Sequence, residues 1–119
     1  MSKIHFTINY EIKTKRKLEK FLEEYKGKIG FELRELKIDR YWKIQEQFQA
    51  VFYIESDLME KEQLVYQTLV LANKLSLGIS NRWIIMGPYE NEDRHFECIF
   101  DNKEGNKPLK WAHIQLEIG

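Results

Sequence analysis

The chain has 119 residues, 43% of them hydrophobic and 13% aromatic, enough for one core, so residues 1–119 are expected to form a single domain. Its 19 basic and 19 acidic residues cancel, which leaves no overall charge to draw it to nucleic acid or to an anionic membrane. No run approaches the roughly 20 apolar residues of a membrane span, and no apolar signal core precedes the first strand pattern, so a cytoplasmic location is expected.

Ile4, Phe6, Ile8, Tyr10 and Ile12 alternate with His5, Thr7, Asn9 and Glu11, the two-residue period of a half-buried strand. From Thr14 the period turns helical. Leu18, Phe21, Leu22 and Tyr25 fall at i, i+3, i+4 and i+7, with Gly27 or Gly30 placed to end the helix and a solvated Lys/Glu opposite face. A second extended region runs from Phe31 to about Trp42. Its apolar positions shift phase from Phe31 and Leu33 to Leu36 and Ile38, which predicts a bulge near Arg34 and Glu35. Phe48, Ala50, Phe52 and Ile54 restore alternation, giving a third strand from about Ile44 to Glu55 after a turn near Tyr41 to Lys43.

Asp57 with Glu60 three residues later has the spacing of an N-cap and its partner, and predicts a helix from Asp57 through about Leu75, closed by Gly78. Its apolar residues Leu64, Thr68, Leu71 and Leu75 form a stripe flanked by Val65, Leu69 and Ala72, the pattern of a helix covered on two sides by its own domain. Three short strands follow, Trp83 to Met86, His95 to Phe100 and Leu109 to Ile118, separated by polar, turn-forming stretches. The order predicts an α+β fold, a ferredoxin-like βαββαβ sandwich extended by two C-terminal antiparallel strands.

Chemistry-bearing motifs are missing. The sequence has no glycine-rich phosphate loop, no nucleophile elbow, no paired cysteines and no histidine pair at helical spacing. The single cysteine, Cys98, lies in an apolar run and reads as a buried structural thiol. No metal or organic cofactor is expected. His5, His95 and His113 stand on three different strands at polar-phase positions. Were those strands neighbours, the three could build an acid–base or metal site with Glu97; isolated strand histidines are more often solvent-facing. Trp111 shares the phase of His113 and Gln115, opposite to Ala112, Ile114 and Leu116. That phase puts it on an outer sheet face, as a binding anchor or as a packing residue.

Charge is divided along the chain. Residues 1–43 hold 12 basic and 7 acidic side chains, and residues 44–119 hold 7 basic and 12 acidic. Glu90, Glu92, Asp93, Glu97, Asp101 and Glu104 gather around the fifth strand, where they read either as an acidic surface that attracts a basic partner and repels nucleic acid, or as ordinary acidic loops. The basic run Lys13, Lys15, Arg16, Lys17 and Lys20 is diluted by Glu19, Glu23 and Glu24 and reads as a solvated helix face.

The stretches Trp83-Ile-Ile-Met-Gly87, Phe96-Glu-Cys-Ile-Phe100 and Leu109-Lys-Trp-Ala-His-Ile-Gln-Leu116 resemble strands of small bacterial immunity proteins of toxin and contact-dependent growth inhibition systems, over about a third of the chain. The resemblance implies a non-enzymatic inhibitor that covers the active site of a cognate protein toxin domain. Together with the acidic cluster it points to a basic toxin, such as a nuclease, held through Glu90, Glu92, Asp93, Glu97, Asp101, Glu104, Trp111 and His113. The alternatives are a small enzyme or ligand-binding domain using a His5, His95 and His113 face, and a nucleic-acid-binding or self-associating domain, with a homodimer left open.

Overall fold

The computed structural model describes residues 1–44, 46–75, 83–86, 96–101 and 108–118. Strand β1 runs Ser2–Glu11, helix α1 Lys15–Ile29, strands β2 Arg34–Arg40 and β3 Gln47–Ser56, helix α2 Lys61–Leu75, and strands β4 Trp83–Met86, β5 Glu97–Asp101 and β6 Leu109–Glu117. The six strands form one antiparallel sheet in the order β2-β3-β1-β6-β5-β4. The α+β class stands, with two helices and an antiparallel sheet among the described residues.

The strand order departs from the ferredoxin-like expectation. In that arrangement the strand after α2 lies beside β1; here β6 takes the place, and β4 lies at the far edge, reached through β5. Strand length accounts for the difference. β1 has ten residues and β6 nine, with Ala112, Ile114 and Leu116 all buried opposite Ile8, Phe6 and Ile4. The four-residue β4 offers less than half of that pairing and apolar burial.

Local punctuation explains the helices. Thr14, in extended conformation, accepts from the Lys17 amide through Oγ1 at 3.3 Å and caps α1. Gly30 ends the helix with φ of 73°, a left-handed geometry that a Cβ would strain, and its amide donates to the Lys26 carbonyl at 2.9 Å. Gly30, not Gly27, is therefore the stop. The phase shift in the second strand is a bulge between Arg34 and Lys37, with Glu35 at φ of 52°.

Helix α2 begins at Lys61 rather than Asp57. Ser56 sets the delay: its Oγ accepts from the Leu58 amide at 3.3 Å and donates to Gln67 Oε1 at 2.7 Å, while Ser2 Oγ donates to the Leu58 carbonyl at 3.2 Å. These bonds hold Asp57 to Glu60 as a link between β3 and the helix. The first α2 turn then closes from the Leu64 amide to the Glu60 carbonyl at 3.0 Å. β3 likewise starts at Gln47 and β5 spans Glu97–Asp101, each shifted from the expected bounds. Gly78 and His95 lie outside the described residues.

One side of the sheet makes the core. Ile4, Phe6 and Ile8 of β1, Ala50, Phe52 and Ile54 of β3, and Cys98 and Phe100 of β5 are buried beneath Leu18, Leu22 and Tyr25 of α1 and Leu64, Leu71, Ala72 and Leu75 of α2. Phe6 stacks on Phe52 at 4.7 Å between centroids and meets Tyr25 edge-on at 6.2 Å. Val65 and Leu69 pack at the margin of this core while Tyr66 faces solvent, so α2 has one broad covered side. Among the described residues no helix is long and apolar enough to cross a membrane. Among the described residues both helices lie on this side and no helix covers the opposite face of the sheet, where the functional candidates stand.

Candidate functional site: the open sheet face

Alternation and register put the outward side chains in rows that cross the sheet. One row runs Lys37, Val51, Thr7, His113, Ile99 and Ile84, from β2 to β4; the next runs Arg34, Tyr53, His5, Gln115, Glu97 and Met86. A third runs Asp39, Gln49, Asn9, Trp111 and Asp101. The strand order turns the charge division of the sequence into a spatial one. β2, at one edge, carries Arg34, Lys37 and Arg40 together with Glu35 and Asp39, while the outward charges of β5 and β6 are all acidic, Glu97, Asp101 and Glu117. The only lysine or arginine in β4, β5 and β6 is Lys110, which is buried where the β1–β6 register shifts.

Trp111 stands on the open face, as its phase predicts, half-buried and stacked on His113 with centroids 6.1 Å apart and planes 20° from parallel. His113 Nε2 lies 3.7 Å from Glu97 Oε2. Glu97, Asp101, Trp111 and His113 are thus brought together on neighbouring strands. Glu90, Glu92, Asp93 and Glu104 lie outside the described residues.

His5 shares the face but not the cluster. Its Nε2 is 2.9 Å from Glu117 Oε2, and its ring lies against Tyr53 at 5.8 Å. The hydrogen bond to His5, with the charges of His5 and Lys3 behind it, holds the Glu117 carboxyl below the usual glutamate range. His5 and His113 therefore each take a separate carboxylate instead of converging on one centre. Among the described residues no three His, Cys, Asp or Glu side chains are placed to hold a metal ion. Cys98 faces the core side; burial first, and the neighbouring Glu97 charge second, push its thiol up to about 11. A thiol in that state is no nucleophile near neutral pH.

Comparison with protein-family models, curated proteins and solved structures gives no match to this chain. The reading of the site therefore rests on its own geometry.

Two features escaped sequence reading. A groove of about 860 Å³ lies between α1 and the segment entering β2, with Leu22, Leu33 and Leu36 under a mixed rim of Arg16, Lys20, Glu23 and Glu32. The bulge at Glu35, not periodicity, brings Leu36 to this groove. The second is a cavity of about 390 Å³ between the β2–β3 turn and the open face, lined largely by amide and aromatic side chains. Asn9 alternates with the apolar residues of β1 in sequence, yet it is buried, as is Gln47. Only the packing of Tyr41, Lys43 and Ile44 against this face could reveal that.

Proposed function

We propose that the protein is a non-catalytic binding module that takes a basic protein partner on the acidic half of its open sheet face, as an immunity-type inhibitor covering the active site of a toxin domain. The observation that carries this reading is the placement of Glu97 and Asp101 beside the half-buried Trp111 and His113 on β5 and β6, whose single lysine is buried. An acidic stretch of sheet with an aromatic beside its carboxylates suits a partner rich in Lys and Arg. Charge complementarity would accelerate encounter, and burial of the indole would slow dissociation. The acidic residues Glu90, Glu92, Asp93 and Glu104, which flank β5 in sequence, would extend the same field. An enzyme using the histidine face has less support, because His5 and His113 are each held by a different glutamate.

The test is isolation of the partner from the native host, followed by binding kinetics with Glu97→Lys/Asp101→Lys and with Trp111→Ala. The double reversal is expected to lower the association rate and to flatten its salt dependence. Trp111→Ala is expected to cost on the order of 2 kcal/mol, mainly in dissociation. A nucleic-acid partner, or a protein partner bound equally well by both variants, would end this reading.

A further inference from the structure

The groove between α1 and the segment entering β2 has a volume of about 860 Å³, within the size range of small-molecule sites. We propose that it binds an unbranched aliphatic anion, a fatty acid of medium chain length, with the alkyl chain laid along Leu22, Leu33 and Leu36 and the carboxylate at Arg16, Lys17 and Lys20. The groove lies against α1 and not on the open sheet face, so the inference is independent of the partner-binding reading above.

The floor is the first argument. Leu22 is buried, Leu33 is half-buried and Leu36 is 41% exposed, so apolar surface meets water here that an alkyl chain would cover. The lining holds no aromatic ring and no side-chain amide. It offers neither a plane for stacking nor an edge to hydrogen-bond a polar ring, and suits saturated hydrocarbon. A peptide laid in the same groove would need partners for its own amides. The strand beside the groove, β2, lies at the edge of the sheet, but its regular pairing is interrupted by the bulge between Arg34 and Lys37, which makes a poor template for an added strand.

The rim supplies the second argument, because its charges are sorted by end. Along α1 the lining runs from Arg16 to Lys26, about 15 Å of helix axis, the reach of a medium-length chain. At the Lys26 end, Nζ pairs with Glu32 Oε2 at 3.1 Å. That bond first, with the charges of Glu32 and Glu23 behind it, holds the ammonium above the usual lysine range. Both carboxylates at this end thus have a cation. At the other end Arg16, Lys17 and Lys20 meet one carboxylate, Glu19, and their side chains make no ion pair among the described residues. The surplus of positive charge there draws an anionic head, while the leucines continue away from it towards Lys26.

The experiment is titration of the ¹⁵N-labelled full chain with sodium dodecanoate below its micelle concentration, following the backbone amides, with hexanoate and dodecyltrimethylammonium as parallel probes. Saturable shifts are expected at Lys20, Leu33 and Leu36. Hexanoate is expected to bind at least about tenfold more weakly, since its short chain leaves part of the floor uncovered, and dodecyltrimethylammonium likewise at least about tenfold, since its charge opposes Arg16, Lys17 and Lys20. Leu36→Glu and the double variant Arg16→Glu/Lys20→Glu are each expected to weaken dodecanoate at least about tenfold. All three positions are exposed, so the melting temperature should stay close to that of the parent. No shifts up to the micelle concentration, shifts centred away from the groove, equal binding of either parallel probe, or undiminished binding by either variant would each overturn the proposal.

Discussion

The phenolic oxygen of Tyr25 donates to the backbone carbonyl of Leu71 at 2.8 Å, a buried bond that ties α1 to α2 across 46 residues of sequence. Burial pushes the Tyr25 hydroxyl far above its usual range, so it stays protonated and a donor. Tyr25→Phe keeps the ring that meets Phe6 and removes only the hydroxyl. It is expected to destabilise by about 1–2 kcal/mol, read from urea denaturation, with the melt remaining cooperative. An unchanged midpoint would mean that water replaces the bond and that the helices are not joined there.

Leu71 itself is 2% exposed and sits in the core between α2 and the sheet. Leu71→Ala is expected to cost roughly 2–5 kcal/mol, the transfer term plus the cavity left behind. Tyr66→Ala on the same helix, at a solvent-facing position, is expected to stay within about 0.5 kcal/mol. Equal effects at the two positions would refute the orientation of α2.

These helix contacts mark how far the sequence could be read. Alternation from Ile4 to Tyr10 predicts β1 and the face each residue takes, and Thr14 predicts the start of α1, because both signals are local. The phase slip near Arg34 is local too, and it appears as a bulge at Glu35. The strand beside β1 could not be read, since β6 wins that place through tertiary burial of Ala112, Ile114 and Leu116. Asp57 failed as a cap for a related reason: Ser56 reaches Gln67, eleven residues on, and a capping pattern has no knowledge of that bond. On the open face, phase placed Trp111 and His113 correctly. It gave no sign that Asn9 and Gln47 are buried, where they line a cavity with Tyr41, Lys43 and Ile44.

The His5–Glu117 pair gives a pH expectation. The carboxylate is held below its ordinary range by the His5 hydrogen bond at 2.9 Å. A group whose folded pKa is depressed stabilises the fold above its unfolded pKa, and loses that contribution as pH falls through the depressed value. The contribution of Glu117 should therefore be intact at neutral pH and vanish only in acid. An NMR titration of the Glu117 carboxyl carbon is expected to show a midpoint below the usual glutamate value, moving upward in His5→Ala. Identical midpoints in parent and variant would show that the pair does not persist in solution.

Cys98 gives the opposite sign at the alkaline end. Its thiol is buried, and desolvation, with a smaller push from Glu97, raises it from 9.0 to about 11. The native state then holds the proton in a range where the unfolded chain releases it. Stability is expected to be indifferent to this group below the unfolded pKa and to fall as pH rises from about 9 towards about 11, because the thiolate forms preferentially in the unfolded chain. Cys98→Ala should remove that part of the alkaline slope, at the cost of a small cavity among the side chains above β5. The kinetic counterpart is direct. A thiol-reactive reagent at mildly alkaline pH should modify native Cys98 at a rate set by opening of the fold, and should react at once in denaturant. Rapid modification under native conditions would place Cys98 at an accessible surface and contradict the inward phase of β5.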